Sequence, residues 1–354
     1  MSRFFSGKYR DLSPYTPGEQ PKDTEYIKLN TNESPFPPPK AVMDAARDAA
    51  AKLHLYPDPD CGELTQLLAE KYGVSESEII VTNGSDEVLN FAFMAFCDAY
   101  HPAVFPNITY GFYPVFADLN GIPYEEIPLR EDFTVNISDY IGIGKTIFLA
   151  NPNAPTGLSL HRSAIERVIA GNPDSVVVVD EAYVDFGAES CVPLTRKYDN
   201  LLVTQTFSKS RSMAGARLGY GIGNSELIRD LQTIKYSTNP YNVDRLTAAA
   251  GAASVRCDAI TEENCRTIIE NREYTKSELY RLGFEMTDSA ANFVFAKHKK
   301  IGGEALYLAL KARGILVRHF DKALLCDYNR VTVGTMEQMK TLIFVLKEIL
   351  EEAV

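Results

Sequence analysis

Four consecutive valines, Val176-Val177-Val178-Val179, run directly into Asp180-Glu181-Ala182-Tyr183. A continuous β-branched run has no polar face, so as a strand it must be covered on both sides, which places it in a sheet layered between helices. The surrounding chain has the matching texture. Its apolar periodicity predicts helices over 62–72, 85–97, 112–120 and 162–170, alternating with strands over 79–82, 103–105, 124–127, 146–150, 175–179, 201–205 and 218–222. Strands separated by helices need crossover connections, so the expected fold is α/β, a large domain over 56–245 with a mostly parallel central sheet between helices. Beyond about residue 245 the pattern changes. A long helical stretch over 243–282 with a break near Asp258, a strand over 292–296, a helix over 305–313, strands over 315–320 and 330–333 and a closing helix from Met336 predict a smaller α+β domain over 246–354. The proline-rich segment 34–39 is unsuited to a sheet interior. Residues 1–55 therefore read as an N-terminal arm with a helix over 41–53 that joins the small domain.

A chain of 354 residues suits about two packed units. Its 36 Lys and Arg against 47 Asp and Glu give a net charge of −11. That balance disfavours a nucleic-acid partner, whose phosphates need a basic face. No apolar run reaches the roughly 18 residues of a membrane span. The opening Met-Ser-Arg-Phe-Phe-Ser-Gly-Lys lacks the apolar core of a secretory signal, and the six cysteines contain no Cys-x-x-Cys pair. They read as buried thiols of a reducing compartment, the cytoplasm. The scattered histidines suggest no metal site.

Two glycine-rich stretches do not bind nucleotides on this reading. Gly142-Ile143-Gly144-Lys145-Thr146 has Asp139 where a P-loop needs its first glycine, and a strand-like run follows the lysine. Gly219-Tyr220-Gly221-Ile222-Gly223 lacks the spacing of a dinucleotide fingerprint. The informative residues stand at strand ends: Asn151-Pro152-Asn153-Ala154-Pro155-Thr156-Gly157, then Asp180-Glu181-Ala182-Tyr183, then Thr206-Phe207-Ser208-Lys209, then Arg217. Open α/β sheets bind ligands at such ends. Singly, each charge would read as solvated surface. Together they offer what pyridoxal phosphate chemistry needs: an amine for the aldehyde, an acid for the ring nitrogen and donors for a phosphate dianion.

These motifs resemble the fold-type-I pyridoxal phosphate-dependent aminotransferases, and within them the histidinol-phosphate aminotransferase family. The likeness extends to Leu29-Asn30-Thr31-Asn32-Glu33, Tyr56-Pro57, Asn83-Gly84-Ser85-Asp86-Glu87, Thr109-Tyr110-Gly111 and Arg330-Val331-Thr332-Val333-Gly334-Thr335. By this resemblance Lys209 holds the cofactor aldehyde and later acts as general base. Asp180 pairs with the ring nitrogen, Tyr183 with the phenolic oxygen, and Tyr110 covers the ring face. Ser85, Asp86, Thr206, Ser208 and Arg217 surround the phosphate. Tyr56 is the residue lent by a neighbouring subunit, which implies a homodimer with shared sites. Arg330 meets a substrate carboxylate and Arg318 the distal anion, with Tyr15 and Asn32 supplied by the arm. The family places an asparagine directly before Pro-Thr-Gly, where this chain has Ala154. Either Asn153 reaches the cofactor through a shifted loop, or Tyr183 holds the phenolic oxygen alone.

The implied reaction is transamination between L-histidinol phosphate and 2-oxoglutarate, in histidine biosynthesis. Threonine-phosphate decarboxylase and aromatic or broad-range aminotransferases share nearly all these residues and remain alternatives. A regulatory binding protein on the same fold is disfavoured by the acidic balance and by the first motif starting near residue 12, which leaves no room for a DNA-binding domain.

Overall fold

The computed structural model describes residues 2–10, 12–16, 18–21 and 25–352. In chain order the elements are β1 (Ile27–Leu29), α1 (Lys40–Ala50), α2 (Gly62–Tyr72), β2 (Ile79–Thr82), α3 (Ser85–Phe96), β3 (Ala103–Pro106), α4 (Phe112–Asn120) and β4 (Tyr124–Ile127). They continue with β5 (Thr146–Ala150), α5 (Arg162–Ala170), β6 (Val177–Asp180), β7 (Leu201–Thr206), β8 (Gly219–Gly223), α6 (Ser225–Thr238), α7 (Arg245–Arg256) and α8 (Asp258–Arg281). The last are β9 (Phe284–Met286), β10 (Phe293–His298), α9 (Gly303–Ala312), β11 (Ile315–His319), β12 (Tyr328–Thr332) and α10 (Met336–Glu352).

The first sheet has the order β2-β8-β7-β6-β5-β3-β4. From β7 to β4 all pairings are parallel, while β8 runs antiparallel to both β2 and β7. The valine run behaves as its composition requires. Val177 and Val179 pack into one core with Leu64 of α2, Ile165 of α5 and Ala250 of α7, and Val178 packs into another with Val88 of α3, Phe116 of α4 and Leu231 of α6. All three valines are fully buried, each contributing roughly 1.5–3 kcal/mol. The parallel register sets Ala150, Asp180 and Thr204 abreast, so β5, β6 and β7 end along one edge and the loops that follow share a rim.

The second sheet, β1-β11-β12-β10-β9, carries its own core against α8, α9 and α10. Two of its strands, β1 and β9, were not expected from the sequence. Strand β1 pairs in parallel with β11, Leu29 opposite Val317, which stitches the arm into a sheet formed nearly 300 residues later. Ahead of it, Glu19 is tied down: its backbone carbonyl accepts from Asn30 Nδ2 (2.7 Å) and its carboxylate from Tyr307 Oη (2.6 Å) and from Lys311. The expected break in the long helix falls at Cys257, between α7 and α8. There the buried Arg211 donates to Ser254 O (3.0 Å) and to Asp258 (2.6 Å), clamping the loop after Lys209 onto the helix junction.

Four of the six free cysteines are buried, but Cys257 and Cys326 are only partly covered, so the expectation of uniformly buried thiols needs that correction. Among the described residues no helix is long and apolar enough to cross a membrane.

Candidate active site

At the shared rim, the first turn of α3 meets the turn before β8. Helix α3 starts after Gly84, at φ +76°, with no side-chain cap, which leaves first-turn amides without intrahelical acceptors. A Cβ at Gly219 would come within 2.2 Å of the Ser85 backbone nitrogen, so that position has room only for glycine, while Gly84 needs glycine for its positive φ. Arg217 is left-handed (φ +52°), a costly conformation for a side-chain-bearing residue that aims its guanidinium at this cradle. Its Nη2 pairs with Asp86 Oδ2 at 2.6 Å and its Nη1 lies 3.5 Å from Ser208 Oγ, which in turn accepts from Thr206 Oγ1 at 3.0 Å. The other Asp86 oxygen accepts from Tyr110 Oη at 2.7 Å. Hydroxyls, a guanidinium and a helix N-terminus thus converge as they would around an anion.

The next part of the same cavity is a slot with Asp180 lining it and Tyr183, Ala154 and Lys209 around it. Asp180 is buried, and its hydrogen-bond partners are neutral: Tyr113 Oη at 3.1 Å and the Ala182 amide at 3.2 Å. Burial pushes its carboxyl up to about 6, against the pull of those two donors. Next to it Glu181, fully enclosed beneath the site, is pushed up to about 7 by burial despite hydrogen bonds from Cys191 N, Ser190 and Gln205. Both acids hold a proton more tightly folded than unfolded. The stability this contributes is complete below about pH 4 and is lost as pH rises through 6 and 7. The ligand-free protein is therefore expected to melt lower at pH 8 than at pH 5, with Asp180 alone responsible for roughly 1–2 kcal/mol over that range. Melting curves of Asp180→Asn across that range should be flatter by Asp180's share. A slope identical to that of the wild type would mean that another group titrates.

Lys209 Nζ donates to the Thr31 carbonyl (3.2 Å), lies 5.8 Å from the Tyr183 ring centre and lines both this cavity and a larger one of about 510 Å³ that opens outward. The outer cavity is where the two arginines meet. Arg318 and Arg330 are paired opposite each other on β11 and β12. Arg330 is sandwiched between the rings of Phe293 (5.3 Å) and Phe320 (5.7 Å), donates through Nη2 to Asn30 O (3.1 Å), and keeps a buried Nε without a hydrogen-bond partner among the described residues. Burial depresses its pKa, so an anion in the cavity would relieve both its lost solvation and its repulsion from Arg318. Tyr15 closes one side, its ring stacked on Phe112 at 4.2 Å. Asn32 lines the same cavity and donates to Tyr183 Oη at 3.0 Å.

Of the residues expected at the site, Asn153 lines neither cavity, and Tyr56, expected from a neighbouring subunit, lies outside this chain's own cavities. The Asn153 side chain is buried and committed to Ile108 O (3.0 Å), Thr156 Oγ1 (3.1 Å) and Thr109 Oγ1 (2.8 Å), and Ala154, not Asn153, lines both cavities. The loop is not shifted, so of the two alternatives the geometry favours Tyr183 as the group facing the slot. Tyr56 is 77% exposed, stacked on Tyr241 at 4.7 Å, and lines neither cavity. Conversely, Tyr113 was not anticipated. It is fully buried at the start of α4, and its contact with Asp180 spans 67 residues. Its only sequence signal is its place three residues after Tyr110, one turn on.

Comparison with known proteins agrees with this geometry. The family model for aminotransferase class I and II matches residues 24–346. A histidinol-phosphate aminotransferase of Brachyspira hyodysenteriae is 49% identical over 353 residues, covering 99% of this chain and all of the relative. Histidinol-phosphate aminotransferase 1 of Bradyrhizobium diazoefficiens is 49% identical over 350 residues, covering 99% of this chain and all of its own. Among solved structures, the histidinol-phosphate aminotransferase of Sinorhizobium meliloti in complex with pyridoxal-5'-phosphate has a TM-score of 0.90 at 23% identity, covering 100% of this chain and 99% of that one. An L-threonine-O-3-phosphate decarboxylase from Porphyromonas gingivalis reaches 0.81 at 24% identity, over 92% of this chain and 99% of its own, so the backbone alone does not distinguish these reactions. Identity approaching half along the whole chain does distinguish them, and this protein belongs to the aminotransferase class I and II family and, within it, to the histidinol-phosphate aminotransferases.

Proposed function

We propose that the chain holds pyridoxal 5'-phosphate at Lys209 and transfers the amino group of L-histidinol phosphate to 2-oxoglutarate, a step of histidine biosynthesis carried out in the cytoplasm. The observation that carries this reading is that Lys209 and Asp180 open on one slot whose inner end is an anion cradle and whose outer end faces two arginines. The donor set fits the cofactor. Arg217, Ser208, Thr206 and the α3 amides suit a phosphate dianion, and the buried Asp180 carboxylate suits a cationic ring nitrogen. When bound, the cofactor supplies a ring that accepts the electrons released as a substrate C–H bond breaks.

The protein's own part is positioning and proton transfer. Asp180 keeps a proton on the ring nitrogen, and Tyr183 offers its hydroxyl to the phenolic oxygen. Tyr110 packs beside the ring and ties Asp86 in place. Lys209 Nζ, at the junction of the two cavities, takes the proton from the substrate α-carbon. Arg330 binds the α-carboxylate of glutamate, Arg318 binds the distal anion of either substrate, and Tyr15 excludes water from above. Incubation with histidinol phosphate and 2-oxoglutarate should yield glutamate and no carbon dioxide. Carbon dioxide from threonine phosphate without glutamate would replace this reading with a decarboxylase.

Tyr56 gives the reading a quaternary consequence. An exposed ring beside Leu53 and Leu55, held by Arg245 on its carbonyl, suits a site in a second copy of the chain. We place it on the cofactor phosphate of a homodimer partner. Mixing Tyr56→Ala with Lys209→Ala, each nearly inactive, should then give hybrid dimers with one intact site. About one quarter of wild-type activity is expected at equal mixing. Activity equal to the sum of the separate variants would rule out sharing.

A further inference from the structure

We infer that Asn32 is a positioning residue that fixes the direction of the Tyr183 hydrogen bond, and so replaces the amide that position 154 lacks. The inference rests on the cofactor reading above. Ala154 presents a methyl group to both cavities, and the neighbouring Asn153 amide is fully engaged with protein groups. The polar group left on that side of the slot is Tyr183 Oη, and a lone tyrosine hydroxyl can point its proton either way.

Asn32 removes that freedom. Its backbone N–H donates to Thr332 Oγ1 (2.9 Å), and the Thr332 hydroxyl donates back to Asn32 Oδ1 (3.1 Å). With the amide oxygen engaged by Thr332, the atom 3.0 Å from Tyr183 Oη is Nδ2, which can only donate. The tyrosine oxygen must accept from it, and its own proton is left to be given elsewhere. Asn292 Nδ2 donates to the Asn32 carbonyl (3.0 Å), holding the backbone at φ +56°. Asn32, Asn292 and Thr332 are all buried, so water does not compete for these bonds. Tyr183 is thereby set as a donor toward the phenolic oxygen of the cofactor.

A donor on that oxygen drains its negative charge and weakens its hold on the proton shared with the lysine nitrogen. Losing the donor should raise the pH midpoint of the visible absorption of the bound cofactor. Asn32→Gly removes the amide at a backbone angle glycine adopts without strain, and Asn32→Asp puts an acceptor where the donor was. In purified holoenzyme both are expected to raise the midpoint by about one pH unit, tenfold in proton affinity. Adding Ala154→Asn to Asn32→Gly should recover at least half of the shift. In a Tyr183→Phe background, Asn32→Gly should shift the midpoint no further. A merely structural role would alter melting temperature but not this pattern. Unchanged midpoints in variants that melt like wild type, or a full shift persisting without the Tyr183 hydroxyl, would overturn the inference. Wild-type protein that acquires no visible band after incubation with pyridoxal phosphate would instead bring down the cofactor reading on which it stands.

Discussion

Lys209→Ala is expected to lower kcat by roughly 10³–10⁴-fold, because it removes both the amine that holds the cofactor and the base that moves the α-proton. The loss should be chemical, with the fold intact. The Lys209 side chain makes a hydrogen bond to one backbone carbonyl, Thr31 O. The loop around it is held by other residues: Arg211 on the α7–α8 junction, Ser210 on Asp185 and Ser212 on Ser34. The melting temperature of the ligand-free variant should therefore stay close to that of the wild type. Borohydride treatment, which fixes the cofactor to the wild-type chain, should fix none to the variant. A variant keeping a tenth of wild-type turnover would show that another group moves the proton.

Asp180→Asn is expected to cost on the order of 10²–10³-fold in kcat, the scale of removing one charged group aimed at developing charge. The amide matches the carboxylate in shape; its oxygen can accept from the Ala182 amide while its Nδ2 donates to Tyr113 Oη, so packing should survive. What disappears is the negative charge that keeps the ring nitrogen protonated. The pH dependence separates this effect from a packing defect. In the wild type Asp180 gains a proton as pH falls through about 6, so cofactor uptake by ligand-free protein should weaken by up to tenfold between pH 7 and pH 5. In Asp180→Asn that dependence should vanish, while uptake at pH 7 is already weak. A variant that keeps the wild-type pH profile would assign the titration to a different group.

The sequence made the architecture legible where the signal was local. A valine run with no polar face demanded a sheet covered twice, and the structure divides Val177 and Val179 from Val178 between two cores. Strand ends were equally plain, and with them most of the residues that line the two cavities of the candidate site. Strand β1 was not, because three residues pairing with a strand almost 300 positions away carry no periodicity of their own. Helix α6, outside the expected elements, nonetheless carries a local signal: Leu227, Ile228, Leu231 and Ile234 stand at helical spacing behind the Asn224 cap. Tyr113 and the Thr332 contact to Asn32 lay beyond reach for another reason. Hydrogen bonds across 67 and 300 residues exist only once the chain has folded. The fate of Asn153 turned on loop geometry, which composition does not encode.

The parallel pairing of β1 with β11 also decides which part of the arm is free to yield. Thr31 and Asn32 continue a strand locked into the second sheet, and Glu19 is moored by Asn30, Tyr307 and Lys311, so neither can swing aside cheaply. Upstream of Glu19, Tyr15 rests on Phe112 through a ring stack worth about 0.5–1.5 kcal/mol. Among the described residues this stack is the ring contact that holds Tyr15 against the outer cavity, so Tyr15 is the part of the arm that yields at least cost. Thr31 and Asn32, at the sill of that cavity, are instead fixed to the second sheet by the strand pairing and by Thr332 and Asn292.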